Sequence, residues 1–139
     1  MSLFSFFLLW CIIKVRVDDK MKDINLLKLN GVDVDGSLEI LGDIDMYNET
    51  LGDFLEVSIE RMPRLEESFK NKDMKNYAID VHALKSDSKY LGFTKLADMA
   101  LEHQLKSEAN NIDYINENYD ELINEVNSKI NLIKEYLNS

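Results

Sequence analysis

With one proline, five glycines, one cysteine and two histidines in 139 residues, the chain is short of what several fold and function classes depend on. Sandwiches and barrels reverse direction every few residues and use glycine and proline to do so, so this scarcity argues against an all-β fold. No G-x-G-x-x-G and no G-x-x-x-x-G-K-[ST] occurs, which removes the usual phosphate-cradling loops of nucleotide-binding α/β enzymes. The lone Cys11 can close no disulfide within the chain, and one cysteine with two histidines is too few for a Cys/His zinc site. A reducing, cytoplasmic setting is the expectation. Positive charge is short as well: 16 Lys+Arg against 26 Asp+Glu leave a net charge of −10. Nucleic-acid binding rests on neutralising phosphates, so no nucleic-acid partner is expected.

A long hydrophobic run is also missing. The apolar stretch at 3–13, LFSFFLLWCII, falls short of the roughly 20 residues a membrane-crossing helix needs. No positive charge precedes it and no small-x-small site closes it, as a secretory signal would require. Lys14 and Arg16 follow it, and would hold the remainder in the cytoplasm if it inserted. The readings are the end of a membrane anchor, with membrane contact through 1–13; a secretory signal; or an extension, 1–20, outside the fold. The last is favoured because the ordered pattern opens at Met21, and 21–139 is expected to be one folding unit.

What is present is helical. Hydrophobic residues make up 45% and charged residues 30%, a globular balance. Gly31, Gly36 and Gly42 frame one short segment, SLEIL at 37–41. Asp43 or Asp45 can cap a long helix reaching Asn71, which Pro63 should kink or divide near Arg61–Met62. Asp73 can cap the next, with Gly92 just past its last periodic residue; Thr94 can cap a third. Asn110-Asn111 breaks that one, and Asp113 can start the last. There Tyr119, Leu122, Val126, Ile130, Ile133 and Leu137 recur at three- and four-residue steps. Four amphipathic helices after a short one, joined by short loops, predict an all-α, antiparallel up-and-down four-helix bundle with a short extra N-terminal helix. Met46, Tyr47, Phe54 and Tyr77 are expected in its core. No heptad seam is left over, so a monomer is expected.

The helix from Asp73 to Leu91 carries the chemistry. At about 100° per residue, Tyr77, Val81, Leu84, Ser88 and Leu91 gather on one side. His82 falls about 120–140° from the centre of that stripe, on the solvent face. Lys75 and Lys89 lie a heptad before and after it, and Lys85 and Ser86 are its i+3 and i+4 neighbours. A neutral imidazole is a competent nucleophile near neutral pH, and flanking ammonium groups would stabilise a phosphorylated ring. Ile79 and Tyr90 fall still further from the core. They are read either as packed under a neighbouring segment or as a small apolar platform for a partner. His103, beside Glu102 in LEHQLK, is read as a surface or helix-packing residue.

The run DVHALKSDSKYLGF at 80–93 resembles the signature of histidine-containing phosphotransfer (HPt) domains. The matching positions are His82, Leu84, Lys85, Ser86, Ser88, Leu91 and Gly92. The stretch GVDVDGSLEILGDIDMYNETLGDFL at 31–55 is similar to that family's N-terminal region, so the resemblance covers most of 24–137. It implies a four-helix bundle with the phosphorylated histidine on its second long helix. It also implies a carrier without an ATP site of its own, not a self-sufficient enzyme. Such a carrier takes a phosphoryl group from a receiver-domain aspartate of a hybrid histidine kinase and passes it to a response regulator's receiver. No cofactor is expected in the chain, Mg²⁺ being supplied by the receiver. By the match His82 is the acceptor and Lys85 holds phosphoryl charge; Lys89 joins it on helical geometry alone. Ser86 stands where glycine is common. The alternatives are a phosphotransfer-inactive bundle that binds receivers or kinases, and a module belonging to a longer hybrid kinase.

Overall fold

The computed structural model describes residues 22–139. The expectations for 1–20, as extension, anchor or signal, lie outside the described residues. Six helices and no strand occur among the described residues: α1 Ile24–Leu29, α2 Val34–Leu41, α3 Ile44–Lys70, α4 Met74–Leu91, α5 Thr94–Glu108 and α6 Ile112–Leu137.

Short side chains start most of them. Asp43 accepts from the Met46 amide at 2.8 Å, Asp73 from Asn76 and Asn111 from Tyr114, each satisfying a backbone donor that has no partner within its helix. Two expected starts move. Asn111, not Asp113, caps α6, leaving Asp113 in its first turn, where a carboxylate favours the helix dipole. Thr94 is the first residue of α5, and Phe93 stands at the cap position without a side-chain hydrogen bond. Phe93 is wholly buried, edge-on to Phe54 at 5.7 Å, so apolar packing sets that boundary instead.

Three further expectations are corrected. Of the kink or division expected at Pro63, division does not occur: α3 continues from Ile44 to Lys70. Pro63 and Ile59 both lie on the exposed side, so water can take the Ile59 carbonyl that the proline leaves without a donor. There are two short N-terminal helices, not one. Asn30-Gly31 turns the chain, with Gly31 at φ 81°, and Val32 N–H bonds back to the Leu27 carbonyl at 3.1 Å, closing α1 as a separate turn. Met46 is 46% exposed, because its neighbour Tyr47 takes the inward position in the first turn of α3.

α4 packs against α3 and α5, α6 packs against α3 and α5, and α2 lies across α3 and α4. Tyr47, Leu51, Phe54 and Leu65 of α3 meet Tyr77, Val81, Leu84 and Leu91 of α4, with Leu96, Ile115, Leu122, Val126 and Ile133 completing the core. Each such side chain contributes roughly 1.5–3 kcal/mol by leaving water. Phe69 stacks on Tyr119 at 3.7 Å, joining α3 to α6. No helix among the described residues is long and apolar enough to cross a membrane.

The far end of α4 is pinned. Gly92 adopts the left-handed conformation, φ 79°, which ends the helix without the penalty a Cβ would bring. Its carbonyl accepts from Asp33 N–H at 2.9 Å, and the Tyr47 hydroxyl donates to the Leu91 carbonyl at 2.9 Å. A Cβ on Gly92 would run into the Asp33 carbonyl. The motif glycine therefore ends α4 and also seats the entry to α2.

Candidate functional site

The inward stripe of α4 is as the periodicity requires. Tyr77, Val81, Leu84, Ser88 and Leu91 are buried, and His82 is exposed on the far side. Two arginines of α3 hold the helix. Arg64 makes a bidentate contact with the buried Asp80, at 2.7 and 3.0 Å, and Arg61 pairs with Asp87 at 2.7 Å. The Asp80 hydrogen bond and charge push the Arg64 guanidinium above its ordinary pKa. The paired aspartates stand on either side of His82 along α4, so its backbone cannot turn without breaking an ion pair.

The ring itself is held from α5. Its Nδ1 lies 3.1 Å from Gln104 Oε1, and Gln104 Nε2 donates to Glu108 Oε2 at 3.3 Å. A carbonyl oxygen only accepts, so in this arrangement Nδ1 carries a proton and donates, and in the neutral ring Nε2 keeps its lone pair. His82 thus presents an exposed imidazole whose Nε2, in the neutral ring, is the nitrogen left without a proton. Neither Gln104 nor Glu108 follows from the reading of α4 alone. Their one signal is the i, i+4 spacing within HQLKSE, which is also the spacing of countless solvated helix faces.

His82, Gln104 and Glu108 border an open groove of about 670 Å³ between α4 and α5, which Met74, Lys75 and Ile79 also line. Of the residues singled out by sequence, Lys75 and Ile79 therefore share the histidine's groove. Ile79 is 59% exposed and Tyr90 49%, so neither is packed beneath a neighbour among the described residues. Tyr90 borders a different groove, with Val57 of α3 and Asp87, and Lys89 lines a third beside Asp33 and Gly92. Lys85 and Ser86 are half-buried on the turn after His82. Ser88 is completely buried, and its hydroxyl has no hydrogen-bond partner among the described residues.

His103 is a different kind of histidine. It is 2% exposed, and its Nδ1 accepts from the Tyr77 hydroxyl at 2.8 Å. Burial pushes its pKa down to about 4, against a smaller opposing effect of a backbone hydrogen bond at Asn118. It is neutral, enclosed and packed between helices, as its helix-packing reading expects, and has no access to a partner.

Among the described residues an all-helical frame holds one imidazole exposed and orients it from the neighbouring helix, which defines a class: helical modules with a single solvent-facing, oriented histidine. The comparison with known families resolves that class further. The Hpt domain model matches residues 49–128, more than half of the chain. The chain belongs to the Hpt domain family, whose members are phosphocarrier modules of phosphorelays that interact with receiver domains. Searches of curated proteins and of solved structures return no match.

Proposed function

We propose that His82 is the phosphoacceptor of this domain, taking a phosphoryl group from a receiver-domain aspartyl phosphate of a hybrid histidine kinase and passing it to the receiver aspartate of a response regulator. One observation carries this reading: an exposed imidazole whose Nδ1 faces a carbonyl oxygen, which leaves Nε2 free to attack. In the forward step Nε2 forms the N–P bond as the aspartyl O–P bond breaks and the carboxylate departs. The ring gains positive charge, shared with Nδ1–H, and Gln104 Oε1 is placed to stabilise it. The return step is the same sequence reversed on the second receiver.

Lys75 in the groove and Lys85 on the next turn screen the phosphoryl charge, while Lys89, further off, acts on encounter. Ile79 and Tyr90 supply apolar contact to the receiver on either side of the ring, and Ser86 leaves room for its approach. Mg²⁺ for the transfer comes from the receiver. The long helices α3 to α6 are read as an antiparallel up-and-down four-helix bundle, residues 21–139 as the working unit of a cytoplasmic monomer, and 1–20 as outside that unit.

The test is incubation with a phosphorylated receiver. The wild type should acquire an acid-labile, alkali-stable label, and His82→Gln should acquire none while melting at the same temperature. Label retained in the variant would overturn the assignment. A wild type that binds the receiver but takes no label would make the domain a docking module only.

A further inference from the structure

We infer that Glu108 is the residue that decides which nitrogen of His82 is the nucleophile, acting through the Gln104 amide; this rests on the reading of His82 as phosphoacceptor. A primary amide has two faces. With Oε1 toward the ring it accepts, and His82 must carry its proton on Nδ1. Rotated by half a turn it presents N–H, and His82 must offer Nδ1 as an acceptor and carry the proton on Nε2. The second arrangement removes the lone pair from the nitrogen that would attack. The imidazole does not supply the choice, since free histidine leans toward the Nε2–H form. The amide does not supply it either, because its two ends are nearly the same size.

The choice comes from what else the amide touches. Its other end lies 3.3 Å from Glu108 Oε2. An ionised carboxylate accepts and does not donate, so it binds the amide's Nε2 and repels its Oε1. With Nε2 drawn to Glu108, Oε1 is left for the ring, 3.1 Å from Nδ1. Three side chains on two helices thus form a directed chain: the Glu108 carboxylate accepts from Gln104 N–H, and the Gln104 oxygen accepts from His82 N–H. Glu108 never reaches the reacting nitrogen and is a positioning residue. Ser107 Oγ donates to the Gln104 backbone carbonyl at 3.0 Å, and so does not compete for the amide.

Inverting the charge should invert the chain. In Glu108→Lys a donor replaces the acceptor, Gln104 Oε1 turns toward the ammonium, and its N–H turns toward the ring. The lysine ends α5, where a cation is favourable, and the site is exposed, so the fold should be unaffected. Glu108→Gln, which can donate or accept, is the milder companion.

The readout is the ¹⁵N chemical shift pair of the His82 ring in the unphosphorylated full chain, measured at about pH 8.5. Wild type should be mainly Nδ1–H. Glu108→Lys should lower the Nδ1–H to Nε2–H ratio by about threefold or more, the factor an ordinary net hydrogen bond supplies, with Glu108→Gln between them. Phosphate uptake from a receiver should slow in the same order. A wild-type ring that is mainly Nε2–H, or a ratio unmoved in both variants, overturns the inference. A ratio that moves while uptake rates do not overturns its kinetic half. A ratio that moves in a protein whose wild type takes no phosphate would instead sink the phosphoacceptor reading and leave the tautomer control standing.

Discussion

The buried His103 should make this protein lose stability in mild acid, by an amount that can be worked from its surroundings. Burial holds its pKa at about 4, against an ordinary value of 6.5 that the unfolded chain recovers. Over that interval the unfolded chain binds a proton that the folded one refuses, so acidification favours unfolding. The contribution of the neutral ring is complete above about pH 6.5 and declines as the pH falls toward 4. At about pH 4.5 the loss amounts to roughly 2.5 kcal/mol, a sizeable part of a small domain's stability. Carboxylates titrate in the same range, so the effect is isolated by difference. His103→Gln cannot titrate but can still accept from Tyr77 through its amide oxygen. It should cost about 1–2 kcal/mol in packing at every pH, with a shallower decline in acid. Urea unfolding of both proteins at about pH 7 and pH 4.5 gives the comparison. If wild type and variant lose the same stability between the two, the ring is not buried in its neutral form and the reasoning fails.

Other outcomes can be checked on the same apparatus. Gly92→Ala places a Cβ in a left-handed residue and against the Asp33 carbonyl. It should cost about 3 kcal/mol, a fall in melting midpoint on the order of 10 °C, and a loss under about 1 kcal/mol would contradict the packing described. Ser88→Ala removes a buried hydroxyl without a partner among the described residues and should be neutral or stabilising by up to about 1 kcal/mol; a clear loss in urea unfolding would mean that the hydroxyl is bonded. Ile79→Ser, at a site 59% exposed, should change stability by no more than about 0.5 kcal/mol while slowing transfer from a receiver several-fold. Unchanged transfer would remove Ile79 from the docking face.

Features written in neighbouring residues were legible in the sequence, and those written across helices were not. Asp43, Asp73 and Gly92 each act on a backbone group a few residues away, so their effects travel with the local pattern. The exposure of His82 followed from its angle to one stripe. Whether Pro63 divides α3 turns on whether the orphaned carbonyl faces water, which depends on how the whole of α3 is laid on the core. The cap at Phe93 was hidden for the same reason: its anchor is Phe54, far away in the chain. Gln104 sits 22 residues from His82 and meets it only because α4 and α5 lie side by side. Nothing local in the sequence marks the two arginines that grip α4, because their aspartates lie 26 and 16 residues away.

That grip has a consequence for traffic through the site. Each ion pair keeps one foot out of water: the side chain of Arg61 is 7% exposed beside an Asp87 at 40%, and that of Asp80 is 5% exposed beside an Arg64 at 55%. A slip of α4 along α3 by one turn, about 5.4 Å, would strand a cation and an anion together, at a cost of about 3 kcal/mol or more for each. The backbone that carries His82 is therefore held in one register on α3. If donor and recipient must both reach the same nitrogen on one face, they cannot occupy it together. Every handover then waits for one protein to leave before the next arrives. Throughput would be governed by residence time, and a contact that tightened binding to either receiver would slow the relay as a whole.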